Sequence, residues 1–277
     1  MKKLKSKSIR TSIILLLFFL GLAYTNLIQA KGNFKKPEII IIHDQSKPFA
    51  EKEALIILPG LSDSKKSRRH QKKYFQQTKY DLYIPNFVDK DSFDKTVSNF
   101  TDFFVTNNLS AYKKVHVFSY ILGSWVLNTH IQKYGNQNIA TIIYDRSPLQ
   151  ELAPKMAVNY IPTIIRLVKG RIVKQFSKVP YPTIEQADIN IGIFVENKAT
   201  PMIRFFKKTA MSYGPIPWNN LDFNQTYDDM IYTPFNHGEM YTSFDFIGPD
   251  ILNFIEKGEF RKEAKRVAYE WDVFKGK

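Results

Sequence analysis

The residue with the clearest chemical capability is His237, in "PFNHGEM". The chain holds only five histidines, and this one sits beside a glycine in a loop, where an imidazole near its ordinary pKa can give or take a proton at neutral pH. Two serines, Ser62 in "LPGLSDS" and Ser147 in "DRSP", follow apolar, strand-like runs. They fall where α/β sheets collect their ligands, at the carboxyl ends of strands, although serines there also serve simply as turn residues or helix caps. The stretch "VHVFSYILGSW" (Val115–Trp125) reads as a strand that turns sharply into a helix, with Ser119 and Ser124 on either side of the turn. No His-Glu-x-x-His pattern or clustered His/Asp set points to a metal, and no phosphate-cradling Gly-Lys loop points to a nucleotide. The pattern therefore assigns neither metal nor cofactor. The absence of cysteine excludes disulfides and thiolate metal sites.

These residues need a scaffold, and the chain alternates short β-rich runs with longer amphipathic ones, the pattern of a mostly parallel α/β sheet. "EIIIIHD", "EALIIL", "YDLYIPNF", "KKVHVFSYI", "NIATIIYD", "INIGIFVEN" and "DDMIYT" predict strands. The near-continuous apolar character of several suits strands buried on both faces. "DSFDKTVSNFTDFFVTNN" spaces Phe93, Val97, Phe100 and Phe104 at helical intervals, with Asp91 or Ser92 as cap. "LGSWVLNTHIQKYG" predicts a helix closed by Gly135. "ATPMIRFFKKTA" reads as one further helix, and "GPDILNFIEKGEF" as another. Between them, residues 149–187 break the alternation with prolines and two basic amphipathic pieces, "ELAPKMAVNYI" and "TIIRLVKGRIVKQF".

The order of these elements over roughly 38–260 resembles the α/β-hydrolase fold. The resemblance implies an α/β class: a mostly parallel sheet flanked by helices, with 149–187 as a helical cap insertion over the active site. It also implies that Val115–Trp125 is the nucleophile elbow, a strained G-x-S-x-G turn that needs small residues two before and two after its centre. Centring on Ser119 puts Val117 and Ile121 at those flanks, and centring on Ser124 puts Leu122 and Val126 there. Only Ile121, between Ser119 and Gly123, satisfies the rule, and isoleucine has no nucleophilic atom. His237 matches the family's base. Its orienting acid matches either Glu196 in "VENKAT" or Asp145 after the preceding strand, and for Asp145 ion pairing with Arg146 or a lysine is the bland alternative. Gly60 and Leu61 match the oxyanion-type loop, with Leu61 offering its N–H. Ser62 and Ser147 stand as displaced nucleophiles.

The first ten residues carry five basic side chains and no acid, and an apolar core follows. Residues 1–30 thus read as a signal peptide or an uncleaved N-terminal anchor, with the rest exported: periplasmic, secreted or anchored facing outward. The formal net charge of +14 concentrates in "SKKSRRHQKKYF" and "RLVKGRIVKQFSK". Export disfavours nucleic acid as the partner and favours an anionic lipid, glycan or other anionic ligand, with Lys65, Lys66, Arg68 and Arg69 placed to meet it at the pocket mouth. Three functions follow as expectations. One is a hydrolase-like protein that binds an anionic or lipid-like ligand without serine esterase chemistry. The second is an active hydrolase of an ester or lipid using His237 and an unconventional nucleophile or water. The third is an envelope interaction protein with a vestigial pocket, contacting its partner through Tyr160, Phe176, Tyr181, Trp271 and Phe274.

Overall fold

Alternation with period two along the strands builds the centre of the molecule. In the strand Glu53–Leu58, Ala54, Ile56 and Leu58 enter one hydrophobic cluster while Leu55 and Ile57 enter another on the opposite face. The computed structural model describes residues 38–160, 166, 169–178, 180–185 and 188–276, so the leader at 1–30 lies outside the described residues. Seven strands form one sheet: β1 (Ile40–Ile42), β2 (Glu53–Leu58), β3 (Asp81–Ile84), β4 (Lys114–Ser119), β5 (Ile139–Arg146), β6 (Asn190–Glu196) and β7 (Asp229–Thr233). Their spatial order is β1-β3-β2-β4-β5-β6-β7. Only β1, at one edge, runs antiparallel to its neighbour. The six parallel strands therefore all deliver their carboxyl ends to one rim, and the loops after Leu58, Ser119, Arg146, Glu196 and Thr233 meet there.

Helices cover both faces. On the first lie α2 (Phe93–Thr106) and α3 (Ile121–Tyr134), burying Phe100, Phe104, Val126 and Leu127 against the sheet. On the second lie α1 (Lys65–Phe75) and α10 (Phe244–Lys257), contributing Phe75, Phe244, Ile251 and Phe254. Each such side chain contributes about 1.5–3 kcal/mol by leaving water. The cap of α2 is Ser92, whose hydroxyl accepts from the Lys95 N–H at 3.2 Å. The insertion contributes α4 (Pro148–Glu151), α5 (Ala153–Tyr160) and α6 (Ile172–Phe176), while its described residues 180–185 are without regular structure. "ATPMIRFFKKTA" is two short helices rather than one, α7 (Pro201–Phe205) and α8 (Lys207–Ser212), because Phe206 between them leaves helical geometry at φ −94°, ψ 27°. A last short helix, α9 (His237–Met240), is closed by a capping box between Asn236 and Glu239. No helix among the described residues is long and apolar enough to cross a membrane.

The basic helix α1 corrects one expectation. Arg68 is buried, not poised for a ligand. Its guanidinium bonds Asp63 Oδ2 through Nε at 2.8 Å and lies 2.7 Å from the same oxygen through Nη2. It also donates to the carbonyls of Glu38 (2.6 Å), Ile84 (2.9 Å) and Pro85 (2.7 Å). Five donors in a rigid fork suit this task, which ties α1 to the entry of β1 and the exit of β3. Lys65, Lys66 and Arg69 are exposed on the same helix. Arg68→Met should cost about 3–5 kcal/mol, as expected when a buried pair loses one partner, whereas Arg69→Ala should stay within about 0.5 kcal/mol. Urea unfolding of the two variants checks both.

Candidate functional site

The turn from β4 into α3 is held by a close approach. A Cβ on Gly123 would lie 2.4 Å from the Leu58 carbonyl oxygen and 2.7 Å from Leu58 Cβ, so only glycine lets the start of α3 settle against the end of β2. Ser119 and Ser124 are buried and bond each other at 2.8 Å, and the Ser124 hydroxyl also reaches the Ser119 and Tyr120 carbonyls. They brace the turn from beneath and do not line the cavity above it. Ile121 does line that cavity. Tyr120 is extended at φ −75°, ψ 163°, Ile121 opens the helix, and among the described residues the non-glycine positions with positive φ are Asn108, Gln137, Asn138 and Asn224. The turn is thus made without left-handed backbone at its centre, a conformation that β-branched isoleucine would resist.

Across the rim, β5, β6 and the loop after β7 bring together three of the residues singled out from the chain alone. His237 Nδ1 lies 2.6 Å from Glu196 Oε1 and 3.7 Å from Asp145 Oδ2, with all three side chains buried. Glu196 is therefore the direct partner, and Asp145 stands behind it. The bland reading of Asp145 fails, because Arg146 instead pairs with Glu151 at 2.6 Å and stacks over Tyr181 and Phe223. Asn197, next to Glu196, serves the tail: it accepts from the Tyr269 N–H and the Trp271 indole. Tyr120 and Tyr241, stacked 3.8 Å apart, both present their rings edge-to-face with the imidazole and fix its plane.

Burial pushes the Asp145 carboxyl well above the ordinary carboxylate range, and the charge of Glu196 raises it further. Burial also raises Glu196, opposed by the Ser147 hydroxyl and the Asp145 carboxyl beside it. Two adjoining buried acids thus disfavour each other's ionisation and titrate as a pair. His237 is held below its ordinary value by burial, with Asp145 opposing and Lys169 reinforcing the shift. The neutral ring donates from Nδ1 to Glu196 and keeps a lone pair on Nε2. Donor atoms of Asp145, Glu196 and His237 lie within 4.8 Å of one another, close enough in principle to chelate a cation. The 2.6 Å His–Glu separation is a proton-sharing distance, however. Two ligands of one tetrahedral zinc ion would stand about 3.3 Å apart.

His237, Ile121, Gly60, Leu61 and Ser62 meet at a cavity of about 120 Å³. The Gly60 N–H is taken by the Tyr241 hydroxyl at 2.8 Å. Those of Leu61 and Leu122 have no partner among the described residues, the latter as one of the orphan donors at the start of α3. Apolar side chains of the cap, including Ala157 of α5 and Phe176 of α6, form the roof. Lys169 also enters, donating from Nζ to the Leu61 carbonyl at 3.0 Å. Its charge was visible in the second basic run, but nothing local marked it as the one that turns inward. Ser62 lies exposed at the mouth. Ser147 is buried away from the cavity, where its hydroxyl caps α4 by accepting from the Gln150 N–H. Lys65, Lys66 and Arg69 are not among the residues lining the cavity.

A solved structure of the metagenome-derived lipolytic enzymes LipS and LipT matches with a TM-score of 0.51 at 10% identity, over 80% of this chain and 98% of that one. The chain has the α/β-hydrolase fold. The Pyrococcus furiosus esterase matches at 0.48 and 12% identity, over 79% of this chain and 90% of its own. The Bacillus licheniformis lipase BlEst2 matches at 0.45 and 14%, over 81% and 99%. No family model and no curated protein matches the chain. In this hydrolase fold the rim after β4, β5, β6 and β7 carries Ile121, Asp145, Glu196 and His237 around one point.

The Asp145 carboxyl has a higher pKa folded than unfolded, so between those values the folded state binds more protons and stability falls as pH rises. Asp145→Asn removes that penalty, because the amide does not ionise. Its melting temperature should equal the wild type's near pH 4 and exceed it at pH 8 by at least about 2–4 °C, the shift of a 1 kcal/mol change in a domain of this size. Thermal unfolding across pH checks this, and a difference independent of pH would contradict the buried acid pair.

Proposed function

We propose that this protein is exported and uses the capped hydrolase-fold pocket to bind an anionic or lipid-like molecule, without serine esterase chemistry. Ile121 carries the reading. It occupies the turn from which a nucleophile would reach the cavity, and no atom of its side chain can attack a carbonyl or be activated by a base. Ser119 and Ser124 are spent on each other, and Ser147 is buried as a cap. Export rests on the basic and apolar pattern of residues 1–30, which also supply membrane association wherever they stay attached.

One observation favours a second reading, a hydrolase that activates water. His237 keeps the Nδ1 contact to Glu196 that a general base needs, and the N–H groups of Leu61 and Leu122 are free to receive an oxyanion. The third expectation, a partner-binding aromatic surface, has less support. Phe176 stacks on Trp125, Tyr181 lies over Arg146, and Trp271 stacks on Tyr269, so these rings are engaged within the chain.

Exposure to a fluorophosphonate probe, followed by peptide mass spectrometry, should label no serine. Label at Ser62 would overturn the binding reading. Turnover of p-nitrophenyl esters that falls about 100-fold or more in His237→Ala, the size of a general-base contribution, would establish the second reading instead.

A further inference from the structure

Lys169 is the cation that the cavity contains without an anion to match. It projects from the cap segment beside Ile121 and His237, and its described bond is to a neutral acceptor, the Leu61 carbonyl. No carboxylate stands within ion-pair distance of it among the described residues. What acts on its charge is burial, with Lys90 adding repulsion, and both hold its pKa below the ordinary lysine value. Glu196, the acid of the site that bonds the imidazole, is committed to His237. A partly buried charge without a counter-charge carries a desolvation cost, and a lysine with no other use for its ammonium would gain by turning its flexible stem to water.

Its position is nevertheless built. The next residue, Gly170, takes φ +91° and comes so close to the Lys90 backbone that a Cβ there would lie 2.2 Å from the Lys90 carbonyl oxygen. Two residues further on, the Ile172 N–H bonds that same oxygen at 2.9 Å. The cap is thus pinned to the loop before α2 immediately after Lys169, and the ammonium is held at the oxyanion-type loop. Leu61 and Leu122, whose N–H groups have no partner among the described residues, line the same cavity. Opposite them the wall is apolar: Trp125, Ala157, Val173 and Phe176.

We propose that this pocket binds a carboxylate on an apolar chain, with the carboxylate paired to Lys169 and bonded to the Leu61 and Leu122 N–H groups, and the chain against Trp125 and Phe176. The inference rests on the binding reading above and names its ligand class. A single ammonium neutralises a monoanion, and the small cavity suits a planar head. A phosphate dianion would leave a second charge uncompensated beside Glu196 and Asp145.

The test is isothermal titration of the full chain with octanoate, octanol and octyl phosphate, repeated on Lys169→Met and Lys169→Arg. Octanoate should bind the wild type about tenfold or more tighter than octanol, the range of one charge-assisted hydrogen bond. Lys169→Met should bring octanoate down to the level of octanol while leaving octanol within about twofold. Lys169→Arg should retain most of the preference, which shows that the charge and not the fold is being read. Equal octanoate binding by wild type and Lys169→Met, no preference for octanoate over octanol, or no binding at all would overturn the proposal. Tighter binding of octyl phosphate than octanoate would overturn the carboxylate assignment. Turnover of p-nitrophenyl octanoate by the same preparations would instead count against the binding reading, so the two failures are separable.

Discussion

The contact between Gly123 and the end of β2 is the constraint on which the site depends. With the Leu58 carbonyl only 2.4 Å from where a Cβ would sit, α3 starts directly against the neighbouring strand, and its orphan N–H groups open onto the cavity beside Leu61. The same proximity turns Ile121 toward the cavity and drives Ser119 and Ser124 beneath it. Everything at the rim is then measured from this point: the loop after β2 on one side, the acids after β5 and β6 and the histidine after β7 on the other. Backbone strain is missing from the arrangement. Fold families that use such a turn for chemistry hold a residue there in a sparsely populated conformation, and Ile121 simply begins a helix.

Electrostatically, the site is organised by groups held largely out of water. Burial raises the Asp145 and Glu196 carboxyls, Glu196 orients His237, and Lys169 enters the cavity beside His237 without an ion pair to either acid. Such shifted groups cluster where a protein binds or transforms something. The tyrosine pair that boxes the imidazole also takes the Gly60 N–H, so the histidine, the loop after β2 and the turn into α3 form one connected unit.

Much of this was legible in the chain. Strands buried on both faces announced themselves as near-continuous apolar runs, and the turn was located by a rule that asks for small residues at its flanks. His237, Glu196 and Asp145 were named from their places at strand ends, but choosing between the acids required distances, because one residue of chain cannot say which carboxylate reaches a ring forty residues away. Arg68 was misread for a different reason. Within a run of exposed basic residues, nothing local separates the one side chain that folds back onto Asp63 and three carbonyls. Lys169 was overlooked by the same logic in reverse, since its inward direction is set by Gly170 and the backbone of Lys90, far away in the chain. The break between α7 and α8 at Phe206 was likewise not legible, since the run "MIRFFKKTA" holds no proline or glycine to mark it.

On the proposed binding function, the pocket holds its ligand without forming a covalent bond to it. The most direct measurement is the mass of the intact protein after incubation with an activated acyl ester, recorded under native and then denaturing conditions. The account predicts a ligand-bound species in the native spectrum that disappears on denaturation, leaving the chain at its unmodified mass. An acyl increment that survives denaturation would contradict this, and its position in the chain would identify a nucleophile elsewhere at the pocket.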